Sequence, residues 1–313
     1  MTYWQTVPPA YSARLEELAQ ALLACRDAFH ETADTFHWEP ASGSGAAAAA
    51  VTLPAPDPAI ANPTGETGHR LIAEVIQIFL FGAAAHMGGL ASLLRAGEVI
   101  SSPPLILRAI IENCAHAVWV LGDDPDEPAE DRLARVYLEE LKSAEEAKKN
   151  SGRLRGKDDP TYKRTETAYK KLKAQILERF SGSTKAELGN GVLRAQQLPG
   201  LEDAVKWMYE LTESFGGTID ATTASGMYGL LSNLTHPTLY PVREQRRWVE
   251  DPATGHHKAQ ILVRIESVEN DVGAALAAFY NALNYVTAYF GWPETALKGL
   301  QAKIDAIIPD FFR

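Results

Sequence analysis

Six side chains fall at spacings that could do chemistry. Arg108, Glu112 and His116 follow one another in four-residue steps, and Tyr228, Ser232 and His236 do the same. On a helix such steps place three side chains along one side. Two facing helices would then bring together a cation, a carboxylate, two imidazoles and two hydroxyls. That set can supply a base, an acid and an anion clamp. It can equally close on itself as a hydrogen-bond network that sets helix register. Spacing does not separate these two readings. Three geometric expectations follow: Arg108 and Glu112 are paired and buried, Glu112 orients the His116 ring, and His116 and His236 reach a common cavity. His236 stands at a helix end before Pro237, where the helix dipole favours a charged imidazole.

A third candidate is the acidic turn that holds Asp123, Asp124 and Glu127, three carboxylates of the kind that bind Mg²⁺. Its plainer reading is a solvated helix end. His256 and His257 have no zinc-ligand spacing around them. His86 on an apolar stretch reads as a core histidine. No phosphate-binding glycine loop, dinucleotide fingerprint or nucleophile elbow occurs.

The element that must position the first stripe is 103–122. Pro103 and Pro104 suit a first helical turn, and Leu105, Ile106, Ile110, Val118 and Leu121 leave little of the helix fit for water. It should be the central helix of a bundle. A helix over 68–96 precedes it across a short turn and should be its antiparallel neighbour. Helices are also expected over 10–37, 130–150, 160–180, 183–198, 201–215, 220–235, 268–290 and through 308. Segment 41–67, rich in Ala, Gly and Pro, reads as a flexible loop. Segment 243–266, Val- and Ile-rich about a central DPATG turn, is the single strand signal and reads as a β-hairpin. The fold class is therefore all-α: one domain over 1–313, a multi-helix bundle of about eight to ten helices with one small β-hairpin.

Residues 142–185 carry thirteen Lys/Arg and six Asp/Glu, a local charge of +7 in a chain of net charge −10. Within the hairpin 130–181 this reads as a solvated face, and alternatively as an arm for RNA or another polyanion. The overall negative charge argues against general affinity for nucleic acid or anionic membrane. The apolar run 71–94 is long enough for a bilayer but is interrupted by Glu74, Gln77 and His86, so it reads as a core helix. Cys25 and Cys114 lie in apolar helical patterns and read as two buried thiols, consistent with the cytoplasm. A homo-oligomer is left open.

The run RAIIENCAHAVWVLGDDP together with YGLLSNLTHPT resembles a set of uncharacterised bacterial all-helical proteins over about 68–240. The late motif is also similar to HEPN nucleases, helical bundles in which an Arg and a His cleave RNA with its own 2′-OH. That resemblance implies a binding, regulatory or defence role with no cofactor, or an RNase using Glu112, His116 and His236. Gly229 stands where similar chains place the arginine, which departs from the active pattern. VWVLGDDPDE resembles the aspartate-rich motif of class I terpene synthases. It implies Mg²⁺ held by Asp123, Asp124 and Glu127 and a diphosphate substrate, but NDVGAALAA at 270–278 lacks two ligands of the second motif.

Overall fold

A computed structural model describes residues 9–60, 65–214, 217, 219–236, 238–261 and 263–312. Pro237, used above as a helix-end signal, and positions 61–64 and 215 of the segments 41–67 and 201–215 lie outside the described residues.

The chain is all-α, with twelve helices among the described residues. Helix α1 (Pro9–Phe36), α2 (Gly45–Thr52), α3 (His69–Arg95) and α4 (Pro103–Leu121) open it. Helices α5 (Ala129–Arg155), α6 (Pro160–Arg179) and α7 (Lys185–Gly189) follow, then a two-residue pair β1 (Val192–Leu193) and β2 (Gln196–Gln197). Helices α8 (Leu201–Ser214), α9 (Ala221–Thr235) and α10 (Tyr240–Gln245) lead to the hairpin β3 (Arg246–Glu250) and β4 (His257–Ile261). Helices α11 (Ile265–Phe290) and α12 (Thr295–Ile307) close the chain.

Helix α4 is the hub. It packs against α3, α5, α8, α9 and α11, and every residue from Cys114 to Leu121 is buried. Pro103 and Pro104 occupy its first turn, where no N–H partner is lost. Gly122 stops it at φ +80°, and a Cβ there would collide with the Arg135 guanidinium and the Glu127 carboxylate. The apolar side of α3, including Ile72, Ile76, Leu80 and Met87, is buried where α3 meets α1 and α4. Its Ile78 and Phe81 stay exposed. By length and composition α3 and α4 could each cross a bilayer, and about half of each apolar window is buried within the bundle. Cys25 and Cys114 are buried free thiols.

Three expectations change. Segment 41–67 is not simply a loop: Ser44 accepts a hydrogen bond from the Ala47 N–H and caps α2, and Ala46, Ala49 and Leu53 are buried. Alanine is the best helix former, and five in a row outweigh the glycines and prolines that flank them. The region 183–198 is not one helix. It is the single turn α7, closed by a capping box at Thr184 and Glu187, followed by the β1–β2 pair. Arg194 and Ala195 turn that pair at φ +48° and +60°, a conformation usually signalled by Asn or Gly. The later hairpin is shorter than 243–266, because Arg243 belongs to α10.

Helix α6 packs chiefly on α5, and Ile176 is its one buried residue. Lys142, Lys149 and Lys170 lie 3.1–3.2 Å from Glu146, Glu145 and Glu166 respectively. Lys163, Arg164 and Lys171 are exposed and form no salt bridge among the described residues. Changing those three to glutamate is expected to leave the urea midpoint unchanged within about 0.5 kcal/mol, the range of surface substitutions. A larger loss would show that the face is packed rather than solvated. RNA binding that weakens steeply with salt and disappears in the same variant would assign the arm a polyanion partner.

Candidate functional site

The two stripes meet, and they meet as a closed network. Arg108 Nε donates to Glu112 Oε1 at 2.6 Å and its Nη2 donates to Tyr228 Oη at 2.8 Å. Tyr228 in turn donates to the same Glu112 oxygen at 2.8 Å, which completes a three-membered ring of hydrogen bonds. Arg108 Nη1 reaches Ser232 Oγ at 3.5 Å, and its guanidinium carbon lies 5.0 Å from the centre of the Tyr228 ring. Burial alone would lower the Arg108 pKa, but Glu112 and Tyr228 raise it overall. The Tyr228 hydroxyl is pushed up to about 12 by burial and then by its bond to Glu112. It stays a phenol at neutral pH. This network ties α4 to α9 and fixes their register.

The histidines do not meet. His236 caps α9 in an extended conformation, φ −95° and ψ 157°, and its side chain is exposed. It does not line the cavity that His116 shares with Glu112. Glu112 does not orient His116 either. That role falls to Glu139 on α5, whose Oε1 lies 2.6 Å from His116 Nδ1. In a neutral ring whose Nδ1–H donates to this carboxylate, Nε2 keeps its lone pair. The residue is 8% exposed, and Nε2 is buried with no hydrogen-bond partner among the described residues. Buried polar atoms are nearly always satisfied, and this nitrogen is one of several in the protein that lack a partner among the described residues.

His116 also lines a cavity of about 680 Å³, within the size range of small-molecule sites. Helix α3 contributes Phe79, α4 contributes Glu112, Asn113 and His116, and α5 contributes Leu138, Glu139, Leu141 and Lys142. The end of α7 and the strand-to-helix segment Leu198–Leu201 cover the opposite side. The rings of Phe79 and His116 sit 5.5 Å apart, so the imidazole has one apolar neighbour and one carboxylate. Such a His–carboxylate pair holds a ring in a single tautomer and leaves the distal nitrogen able to accept a proton.

The acidic turn is structural. Glu127 Oε1 and Oε2 each accept from Arg135 at 2.6 Å, and Arg132 Nε lies 3.2 Å from Oε1. Arg132 also donates to the carbonyls of Leu121, Asp124, Pro125 and Glu127. Asp124 accepts from the Asp126 N–H, and Asp123 and Asp124 are exposed. Glu127 faces inward onto two guanidiniums while the aspartates face water, so the three carboxylates do not converge. No group of three potential metal ligands occurs among the described residues.

Glu139 is the residue of this candidate site that sequence reasoning missed. The signal was present: it adjoins the buried Leu138 and precedes Leu141, placing a carboxylate at the border of an apolar stripe. No protein-family model matches the chain, and neither does any curated protein or solved structure.

Proposed function

We propose that the protein binds a small organic ligand in the His116 cleft, against the His116–Glu139 pair. The observation that carries this reading is a cavity lined by both residues of that pair, with the imidazole held by the carboxylate at 2.6 Å. A HEPN-like, regulatory or defence setting and a cytoplasmic location belong to the same proposal, resting on the motif resemblance and the two free thiols. The 2.6 Å Glu139 contact also favours a second reading, an acid–base enzyme in which His116 takes a proton from the ligand. The RNase reading needs Glu112, His116 and His236 in one site. Glu112 is committed to Arg108 and Tyr228, and His236 is exposed at the end of α9.

Ligand-observed NMR with a library of small polar fragments tests the binding role. Fragments that bind the wild type are expected to lose at least tenfold in affinity for His116→Phe, about 1.4 kcal/mol. They should be displaced altogether by Leu201→Trp. Leu201 lines the cavity yet is 45% exposed, so the added indole can block the cleft without straining the core. Fragment binding that ignores both substitutions would place the ligand site elsewhere.

A further inference from the structure

The charges around the cleft are unevenly compensated. Glu112 is paired with Arg108 at 2.6 Å. Glu145 lies 3.2 Å from Lys149, and Lys142 lies 3.1 Å from Glu146. Those partners account for two of the three carboxylates and for the one lysine that line the cavity. Glu139 is the remaining carboxylate. Its contact is the His116 imidazole, and no Lys or Arg lies within salt-bridge reach of it among the described residues. Its side chain is only 12% exposed, so water screens it poorly. Neighbouring Glu140 is raised above the usual carboxylate range by burial, then by Glu74 and by Glu139 itself. Three carboxylates thus share this corner of the α3–α5 contact.

Two further features shape what could enter. The walls beside Glu139 are hydrocarbon: Phe79, Leu138, Leu141 and Leu198 all line the cavity. The His116 ring is engaged with Glu139 through Nδ1 and its Nε2 is buried, so the Glu139 carboxylate is the charged anchor that the cavity offers. A carboxylate or phosphate ligand would meet repulsion at Glu139. A ligand bearing N–H groups and a positive charge meets an acceptor of opposite charge.

We infer that the cleft selects an organic ammonium ion, an amine carried on an alkyl or aryl body. The ammonium group pairs with Glu139, and the body lies along Phe79, Leu138 and Leu141. This rests on the cleft being a ligand site, and it adds the chemical class of the ligand. Desolvation makes the pairing selective: a neutral isostere leaves the buried carboxylate without a counter-charge, and an anionic one adds repulsion.

Three near-isosteric probes test it: benzylamine, benzyl alcohol and benzoate, titrated by isothermal calorimetry or ligand-observed NMR. The wild type is expected to bind benzylamine at least tenfold more tightly than benzyl alcohol, and benzoate more weakly still. Glu139→Gln keeps an oxygen that can accept from Nδ1 but removes the charge. It is expected to erase the preference for the amine, and a native far-ultraviolet circular dichroism spectrum reports that the bundle is intact. The comparison of probes on the wild type needs no variant, so a folding defect in Glu139→Gln cannot hide the answer. Equal binding of amine and alcohol would overturn the ammonium inference and keep the ligand site. Binding of none of the three, with no fragment hit either, would overturn both.

Discussion

Glu127→Gln will unfold at lower urea than the wild type, with a loss of about 3–5 kcal/mol, the range for removing one partner of a buried ion pair. Side-chain exposure is 10% for Glu127, 8% for Arg135 and 4% for Arg132, so little solvent is at hand to take over the lost charge. The glutamine amide would also point N–H donors at a guanidinium that now donates to both Glu127 oxygens at 2.6 Å. Arg132 would keep its four carbonyl acceptors but would lose its counter-charge. Asp123→Asn and Asp124→Asn are the matched controls. Both sites are exposed, and each is expected to stay within about 0.5 kcal/mol of wild type. A cost under 1 kcal/mol for Glu127→Gln would show that the turn does not depend on this cluster.

Glu112→Gln is the second large effect, at about 2–3 kcal/mol. The pair is less deeply placed, with 17% and 20% side-chain exposure, so the upper end of the buried range does not apply. The loss also strips the Tyr228 hydroxyl of its charged acceptor, and Tyr228→Phe alone should cost about 1–2 kcal/mol. Because Arg108, Glu112 and Tyr228 form one ring, their effects will not add. A double-mutant cycle between Arg108→Met and Glu112→Gln should give a coupling of about 1–3 kcal/mol. Additive costs would mean that the network is three separate contacts. Far-ultraviolet circular dichroism should stay native in each variant, since the ring joins two helices and forms neither.

The central place of α4 was legible because its prolines, its all-round apolar surface and its terminal glycine agree. The Arg108–Glu112–Tyr228–Ser232 network was legible too, since four-residue steps on two helices put each stripe along one side. His236 failed for a physical reason: the helix ends at Thr235, so the helical phase that links Tyr228 to Ser232 does not extend to it. Glu139 was hidden by its surroundings. It lies on a helix whose later half is so rich in exposed Lys and Glu that its carboxylates read as solvent-facing. Glu127 was misjudged because Arg132 and Arg135 were not weighed against it. Two arginines among Leu133, Ala134 and Val136 on a buried stripe call for an inward-facing acid.

These residues divide the polar interior into two parts with different tasks. One is closed, with each strong donor matched to an acceptor, and it holds helices together. The other is the His116–Glu139 pair. Both residues line a cavity, His116 Nε2 has no partner among the described residues, and the functional account stands on that pair. Long-range ¹H–¹⁵N correlation of the His116 ring, recorded without ligand and with saturating benzylamine, observes it directly. The account predicts a protonated Nδ1 and a bare, pyridine-type Nε2 in the free protein, with the Nε2 resonance moving markedly when the amine occupies the cleft. An Nε2 that already carries the proton, or one that does not respond at saturation, would contradict it.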